Sequence, residues 1–207
     1  MGASWIRREF GAVGVTQYPQ GPCLVAVQEH LLGTALLCID VSGSMSGPPL
    51  QAAIDGGLDF LHEAEQAGYR CGLVLWHHGM DAYLSASTAS IEVARRLRAA
   101  RASGGNDLRP TLRAAIKELG PLEGDRVVCV FGDGDVGSDE RGVEALANQA
   151  RTLGIRFVVR GLGTHASASL SRTLGPDESA QPESTVADVA GLRSGIASMA
   201  QALKITR

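Results

Sequence analysis

Continuous apolar runs alternate with amphipathic segments along most of this chain, and this alternation limits the folds that it can adopt. The runs lie at residues 35–39, 71–76, 126–131 and 155–159, and each is almost wholly apolar. A strand that is buried on both faces of a parallel sheet has this composition. Because helical patterns separate the runs, the sequence predicts an α/β fold: a doubly wound, mostly parallel central sheet flanked by helices.

The segments between the runs carry apolar residues at i, i+3 and i+4, the spacing of helices that bury one face. Residues 79–84 instead predict a short edge strand or hairpin partner. Residues 1–33 are predicted to be an N-terminal extension, a strand or hairpin, beside a domain formed by residues 34–207. The predicted helices cover residues 50–66, 90–102, 108–119, 139–153, 166–174 and 186–203.

Length, charge and composition exclude several classes of function. The chain has 207 residues, which suits one domain with a short extension. Its net charge of −3 and its aromatic content of 4% argue against a nucleic-acid partner, because such proteins carry basic patches and stacking aromatic residues. No apolar run approaches the roughly 18–20 residues that span a bilayer, and no apolar signal segment follows Arg7 and Arg8. We therefore expect no membrane partner and a cytoplasmic location.

The cysteines and histidines do not form a recognisable zinc pattern. There is no CxxC pair, and three of the four cysteines lie in apolar runs, which predicts buried thiols in a reducing compartment. His77 and His78 are adjacent, and adjacent residues of a strand point to opposite faces. The cysteines are Cys23, Cys38, Cys71 and Cys129.

Side chains with oxygen atoms follow three of the predicted elements. The sequences are Asp40-Val-Ser-Gly-Ser44, Gly104-Gly-Asn-Asp107 and Asp133-Gly-Asp135. Since the first and third directly follow apolar runs, we expect them at the same edge of the sheet, where ligands bind in this fold class. Carboxylates and hydroxyls with no cysteine or histidine nearby suit a hard cation such as Mg²⁺ or Mn²⁺.

These motifs resemble the metal-ion-dependent adhesion site (MIDAS) of the von Willebrand factor type A (vWA) domain. The resemblance covers roughly residues 33–205 and rests on the run LCIDVSGSM at residues 37–45, the Gly-Gly-x loop and the later Asp-Gly. It implies the Rossmann-like vWA fold, of the intracellular bacterial type, with a bound Mg²⁺ or Mn²⁺. The metal ligands implied by the resemblance are Asp40, Ser42, Ser44, Asn106 and Asp133.

In that family the serine hydroxyls hold the cation directly, and the aspartates hold it mostly through water. The position of Asn106 is usually a threonine, so this chain departs from the pattern there. An asparagine carbonyl oxygen can also bind a hard cation, but the longer side chain changes the geometry. The neighbouring Asp107 either adds a carboxylate or caps the helix predicted to begin at Leu108.

The resemblance implies a protein-binding module without enzymatic activity. Its cation would accept an Asp or Glu carboxylate from a partner, and intracellular members often act with ATPase or kinase-like proteins. Two alternatives stay open: an interaction or scaffold domain with a degenerate, metal-independent site, and a Mg²⁺-dependent hydrolase. A hydrolase of the haloacid dehalogenase type would need an acidic residue where Ser42 stands, as well as a lysine.

Two further groups of residues allow two interpretations each. Thr164 and His165 follow the fourth predicted strand and either line the rim of the site or are ordinary loop residues. Arg95, Arg98 and Arg101 repeat every three residues, with Arg96, Arg109 and Arg113 nearby. This pattern indicates either a basic patch for an acidic partner or a solvated helix face.

Overall fold

A computed structural model describes residues 33–134, 136–175 and 185–203. They contain a six-stranded sheet in the order β3-β2-β1-β4-β5-β6. All neighbouring strands are parallel except β2 and β3, which are antiparallel. This arrangement confirms the predicted mostly parallel sheet and the predicted edge strand. The strands are β1 (Gly33–Asp40), β2 (Tyr69–Trp76), β3 (Met80–Leu84), β4 (Arg126–Gly132), β5 (Ile155–Leu162) and β6 (Thr185–Val186).

Helices cover both faces of the sheet, as a doubly wound fold requires. One apolar core joins the sheet to α1, α2 and α6, and the other joins it to α3, α4 and α5. No helix in the described ranges has both the length and the apolar composition to cross a bilayer. The helices are α1 (Pro48–Gln66), α2 (Ser90–Arg98), α3 (Arg109–Leu119), α4 (Glu140–Thr152), α5 (Gly163–Leu174) and α6 (Leu192–Ser198), with short 3-10 helices at Gly43–Met45 and Met199–Leu203.

Strand β1 lies in the middle of the sheet and contributes to both cores. Its side chains alternate between the two faces, because successive residues of a strand point to opposite sides. Leu37 and Ile39 pack in the core under α1, whereas Leu36 and Cys38 pack in the core under α3. This two-sided burial explains why the run is apolar throughout. The described cysteines are free thiols, and Cys23 lies outside the described residues.

The helix predicted over residues 90–102 ends at Arg98, four residues early. The chain after Arg98 is hydrogen-bonded to the loop that follows β1. The Ser103 N–H donates to the Val41 carbonyl at 2.8 Å, and the Gly43 N–H donates to the Gly104 carbonyl at 3.0 Å. These bonds join residues far apart in sequence, so helical periodicity did not reveal them.

Two other helix boundaries were also predicted wrongly. The last helix does not begin at Val186, because Val186 pairs with Leu162 in the sheet and the chain then turns before Leu192. The helix predicted to begin at Ala166 begins at Gly163 instead, so Thr164 and His165 lie in its first turn rather than in a loop. The polar loop predicted after Leu174 and the N-terminal extension lie largely outside the described residues, although Gly33 already belongs to β1.

Candidate metal centre

The candidate site lies where the direction of winding of the sheet reverses. From β1 the chain passes to β2 on one side, while β4 lies on the other side of β1. The carboxyl ends of β1 and β4 therefore leave a crevice between them, which is the usual ligand position in this fold class. Asp40 ends β1, and Asp133 directly follows β4. The sheet brings the two carboxylates together across 93 residues of sequence.

Four of the five predicted ligands form one continuous series of contacts. The Ser42 N–H donates to Asp40 Oδ1 at 2.7 Å, and the Ser42 and Ser44 hydroxyls lie 2.9 Å apart. The Ser44 hydroxyl donates to Asp133 Oδ1 at 3.1 Å, and the Asp133 N–H approaches Asp40 Oδ2 at 3.4 Å. The tight turn of the 3-10 helix Gly43–Met45 begins directly after Ser42 and brings both hydroxyls to the same side of the loop.

The fifth predicted ligand, Asn106, lies at the same edge of the sheet. A Cβ atom built on Gly134 would come 3.1 Å from Asn106 Nδ2, so the amide borders the loop that carries Asp133. Its Oδ1 atom is buried and has no hydrogen-bond partner. A buried acceptor without a donor is costly, and such an atom calls for an unrecorded water, ion or ligand. Asn106 also lines a groove of about 440 Å³ together with Ser42 and Ser44.

The electrostatics of the site favour a cation. Asp40 is fully buried, and burial, with the nearby Asp133 carboxylate adding to it, raises its pKa to about 7. No lysine or arginine in the described part of the chain forms an ion pair with either aspartate. A buried carboxylate without a counter-charge is unfavourable, and a divalent ion would supply that charge.

The donor set fits a hard cation. It combines two carboxylates with two hydroxyls and one amide carbonyl, and it includes no sulfur or imidazole, a combination that suits Mg²⁺ or Mn²⁺. The described residues contain no cluster of three or more His, Cys, Asp or Glu side chains that could hold a metal. A site here therefore depends on the neutral oxygens of Ser42, Ser44 and Asn106 as much as on the carboxylates.

Asp107 accepts hydrogen bonds at the start of α3 and is not part of the series of contacts that joins the predicted ligands. Its Oδ1 accepts a hydrogen bond from the Arg109 N–H at 3.0 Å, and its Oδ2 accepts one from Arg109 Nη2 at 2.8 Å. The carboxylate thus satisfies a free N–H at the helix start, as a capping residue does. Helix α3 begins at Arg109 and not at Leu108.

Sequence reasoning missed the supports of the Gly-Gly loop. The Asp107 N–H donates to the His77 carbonyl at 2.7 Å, and the Gly105 N–H approaches His78 Nδ1 at 3.4 Å. The residues that line the groove include Ser138 but neither Thr164 nor His165. The sequence offered one indication that His77 lies near the site: it directly follows β2, whose carboxyl end is at the same edge of the sheet as Asp40. Asp135 lies outside the described residues.

The raised pKa of Asp40 predicts how pH affects stability and cation binding. The carboxyl holds its proton more tightly in the folded protein than in the unfolded chain, where its pKa is about 3.9. In EDTA its stabilising contribution is therefore complete in acid and is lost as the pH rises through about 7. Because Mg²⁺ needs the carboxylate, we expect the Mg²⁺-dependent rise in Tm to be larger at pH 8 than at pH 6. Asp40→Asn should remove this pH dependence, and thermal melts at both pH values test it.

Substituting Asn106 should have opposite effects on the metal-free and metal-bound protein. Asn106→Ala removes the buried unpaired carbonyl, so the Tm in EDTA should stay the same or rise. The same change removes a predicted cation ligand, and we expect about tenfold weaker Mg²⁺ binding, or about 1.4 kcal/mol. Asn106→Thr keeps an oxygen and should lose less. A lower Tm in EDTA with an unchanged response to Mg²⁺ would contradict the ligand assignment.

Comparison with known proteins agrees with this architecture. Residues 35–135 match the family model described as the von Willebrand factor type A domain. No curated protein matches the sequence. Several solved structures share the fold at identities of 12–15%, which is evidence for the fold alone.

Three of these structures come from bacteria. A von Willebrand factor type A protein from Catenulispora acidiphila aligns with a TM-score of 0.66 and 15% identity, over 84% of this chain and 43% of that chain. The vWF domain of the type V pili tip protein Mfa5 from Porphyromonas gingivalis aligns with a TM-score of 0.67 and 14% identity, over 84% of this chain and 95% of that chain. The pilus adhesin SpaC from Lactobacillus rhamnosus GG aligns with a TM-score of 0.65 and 12% identity, over 84% of this chain and 30% of that chain. This chain thus spans less than half of two of these proteins. Residues 35–135 are thus similar to the von Willebrand factor type A family, and the fold shared with these structures extends over 84% of the chain.

Proposed function

We propose that this chain is a protein-binding module that holds Mg²⁺ or Mn²⁺ at its candidate metal centre and captures an Asp or Glu carboxylate of a partner. One observation carries the proposal. The buried Asp40 carboxylate lies beside Asp133 and two serine hydroxyls, with no basic side chain paired to it and with the Asn106 carbonyl left without a donor. The site therefore has oxygen ligands and uncompensated negative charge. A hard divalent cation would bind the oxygens and balance the charge.

The five predicted ligands would have two different roles in holding the cation. Ser42, Ser44 and Asn106 offer neutral oxygens to it, while Asp40 and Asp133 supply the charge that balances it. Both hydroxyls lie beside the groove, and the Ser44 side chain is exposed, so a partner can reach this side of the site. When bound, the cation supplies the charge that attracts an acidic side chain. The sheet edge positions Asp40 and Asp133, and the tight turn after β1 positions the two serines, so binding requires little ordering of these four residues.

The class of partner is a further part of the proposal. The sequence resemblance favours a cytoplasmic system in which an ATPase or kinase-like protein donates the acidic residue. Two structures of the same fold come from a pilus tip protein and a pilus adhesin. An extracellular partner would use the same carboxylate chemistry, and identification of the captured protein distinguishes the two settings.

A metal-independent interaction domain is the second candidate. The observation that favours it is that hydrogen bonds already join the loops after β1 and β4 without a cation. On this alternative, Asp40 and Ser44 would only hold the loops in place. We do not propose a hydrolase, because Ser42 stands where that chemistry needs an acid.

Affinity capture from a lysate of the native source tests the proposal. The protein is immobilised and the capture is run in Mg²⁺ and in EDTA, beside Asp40→Ala, Ser44→Ala and Ser46→Ala. Ser46→Ala is the matched control, since Ser46 is exposed in the same loop and its side chain is outside the series of contacts. We expect a partner that only the parent and the Ser46 variant retain, and only with Mg²⁺. Equal retention in EDTA would favour the metal-independent candidate.

A further inference from the structure

A groove runs between the edge strand β3 and helix α3, away from the ligands of the candidate metal centre. Its volume is about 530 Å³. Met80 and Tyr83 form one wall, Pro110 and Ala114 form the other, and Arg113 and Lys117 lie at its rim. Apolar walls with a charged rim are typical of surfaces that bind another chain.

The strand that forms this groove has a free edge. In the described ranges β3 pairs with β2 alone, so the backbone N–H and C=O groups on its other side have no strand partner, although the Asp81 carbonyl accepts a hydrogen bond from Arg96 Nη2 at 3.3 Å. Ala82 and Leu84 pack against the core under α1, whereas Met80 and Tyr83 are 42% and 43% exposed. Proteins usually cover or charge such an edge, because it readily accepts another strand.

The apolar wall is held rigidly. The Tyr83 hydroxyl donates to Glu118 Oε2 at 2.5 Å, and Glu118 Oε1 accepts from the Ser85 hydroxyl at 2.9 Å and from the Ala86 N–H at 2.6 Å. The Tyr83 ring is therefore fixed in a position where a ligand can contact it without first ordering it. Glu118 also lines the groove, and these bonds stabilise its carboxylate without cancelling its charge, so Arg113 and Lys117 outnumber it there by two to one.

The charge that remains at the rim is positive. Asp81, the acidic residue of β3, pairs with Arg96 at 2.6 Å. Arg113 and Lys117 are exposed, and neither forms an ion pair with another residue in the described part of the chain. They lie four residues apart on α3 and therefore on the same face of the helix. This rim contrasts with the net charge of −3 of the whole chain.

We propose that this groove binds an extended acidic segment of a partner protein, which pairs with the free edge of β3 and places an apolar side chain against Tyr83. Strand addition supplies backbone hydrogen bonds, the pocket selects the apolar residue, and the rim selects acidic neighbours. The binding does not use the candidate metal centre, so it stands whether or not that site holds a cation.

A displayed library of random peptides tests the proposal. The full chain is panned in EDTA, and the enriched peptides are measured by fluorescence anisotropy against Arg113→Glu, Lys117→Glu and Arg98→Glu. Arg98 is an exposed arginine on α2 and provides the matched charge reversal. We expect acidic peptides with one large apolar residue, at least tenfold weaker binding to the two groove variants, and less than twofold change for the control. No acidic enrichment, or equal binding by all variants, would overturn the proposal.

A cross-linking measurement identifies what occupies the groove. A Met80→benzoylphenylalanine variant should label the selected peptide on irradiation, and a second change, Lys117→Glu, should prevent the labelling. If it instead labels a second copy of the chain, or residues 1–32 of its own chain, even with the peptide in excess, the groove is an internal or self-association surface and the proposal is wrong.

Discussion

Millimolar Mg²⁺ is expected to raise the Tm of this protein by several degrees, and Asp40→Ala is expected to abolish the rise. A ligand that binds only the folded state stabilises it by about 2.7 kcal/mol at one hundred times its Kd. For a chain of this size that corresponds to a rise of roughly 5–10 °C. Asp40 is the buried carboxylate of the candidate site, so its removal takes away both a predicted ligand and one of the two negative charges that would attract the ion. Thermal melts in EDTA and in 10 mM Mg²⁺ give the comparison.

Two controls keep this result interpretable. Asp40→Ala also removes an acceptor of the Ser42 N–H, so its Tm in EDTA gives the baseline for its Mg²⁺ response. Glu63→Ala removes an exposed carboxylate from the outer face of α1 and should leave the response intact. If the parent shows no rise at 10 mM Mg²⁺ while the affinity capture still depends on Mg²⁺, the cation binds together with the partner. If neither responds, the site is structural.

Trp76→Ala is expected to lower the free energy of unfolding by about 3–5 kcal/mol, the largest loss we expect from a single substitution outside the site. Among the described residues Trp76 is the largest of the fully buried side chains, and it packs in the core under α3 with Leu108 and Leu112. Its ring also lies against Gly132, where a Cβ atom would be only 3.1 Å from Cζ2. Truncation leaves a cavity that the surrounding strands cannot fill by relaxing.

Urea denaturation measures the effect of this substitution. The midpoint should fall while the slope stays constant, since the protein still unfolds the same surface. Trp76→Phe keeps most of the ring volume and should cost less than half as much. Because the Trp76 ring supports Gly132, next to Asp133, the alanine variant should also weaken the response to Mg²⁺. A loss below 1 kcal/mol would show that the sheet edge closes around the gap.

The sheet and the candidate site were largely predictable because both depend on local sequence. Burial on two faces demands apolar strands, and the position of Asp40 and Asp133 directly after such strands places them at one edge. The end of α2 and the start of α6 were not predictable, because they depend on residues distant in sequence. The segment after Arg98 is hydrogen-bonded to Val41, and Val186 pairs with Leu162 in the sheet. The unpaired carbonyl of Asn106 was also hidden, because the burial of one atom depends on the packing of several loops.

The groove shows a different limit of sequence reasoning. The edge strand itself was predicted, but the exposure of Met80 and Tyr83 follows from the strand order and from the position of α3. The arginines of α2 attracted attention by their spacing, yet Arg95 and Arg96 pair with Glu92 and Asp81. Arg98 on α2 and Arg113 and Lys117 on α3 are exposed and form no ion pair in the described part of the chain, and only the two on α3 line the groove.

The connection between residues 98 and 109 has a consequence for regulation. It carries Asn106, contains no helix or strand, and is joined to the loop after β1 by backbone hydrogen bonds at Ser103 and Gly104. Such a segment can open while the sheet remains folded, because local opening requires only the local bonds to break. The cation affinity of the protein would then include the cost of keeping this segment closed. A partner that binds this segment and keeps it closed would tighten metal binding without contacting the cation. A substitution that loosens the segment would weaken metal binding although every predicted ligand is still present.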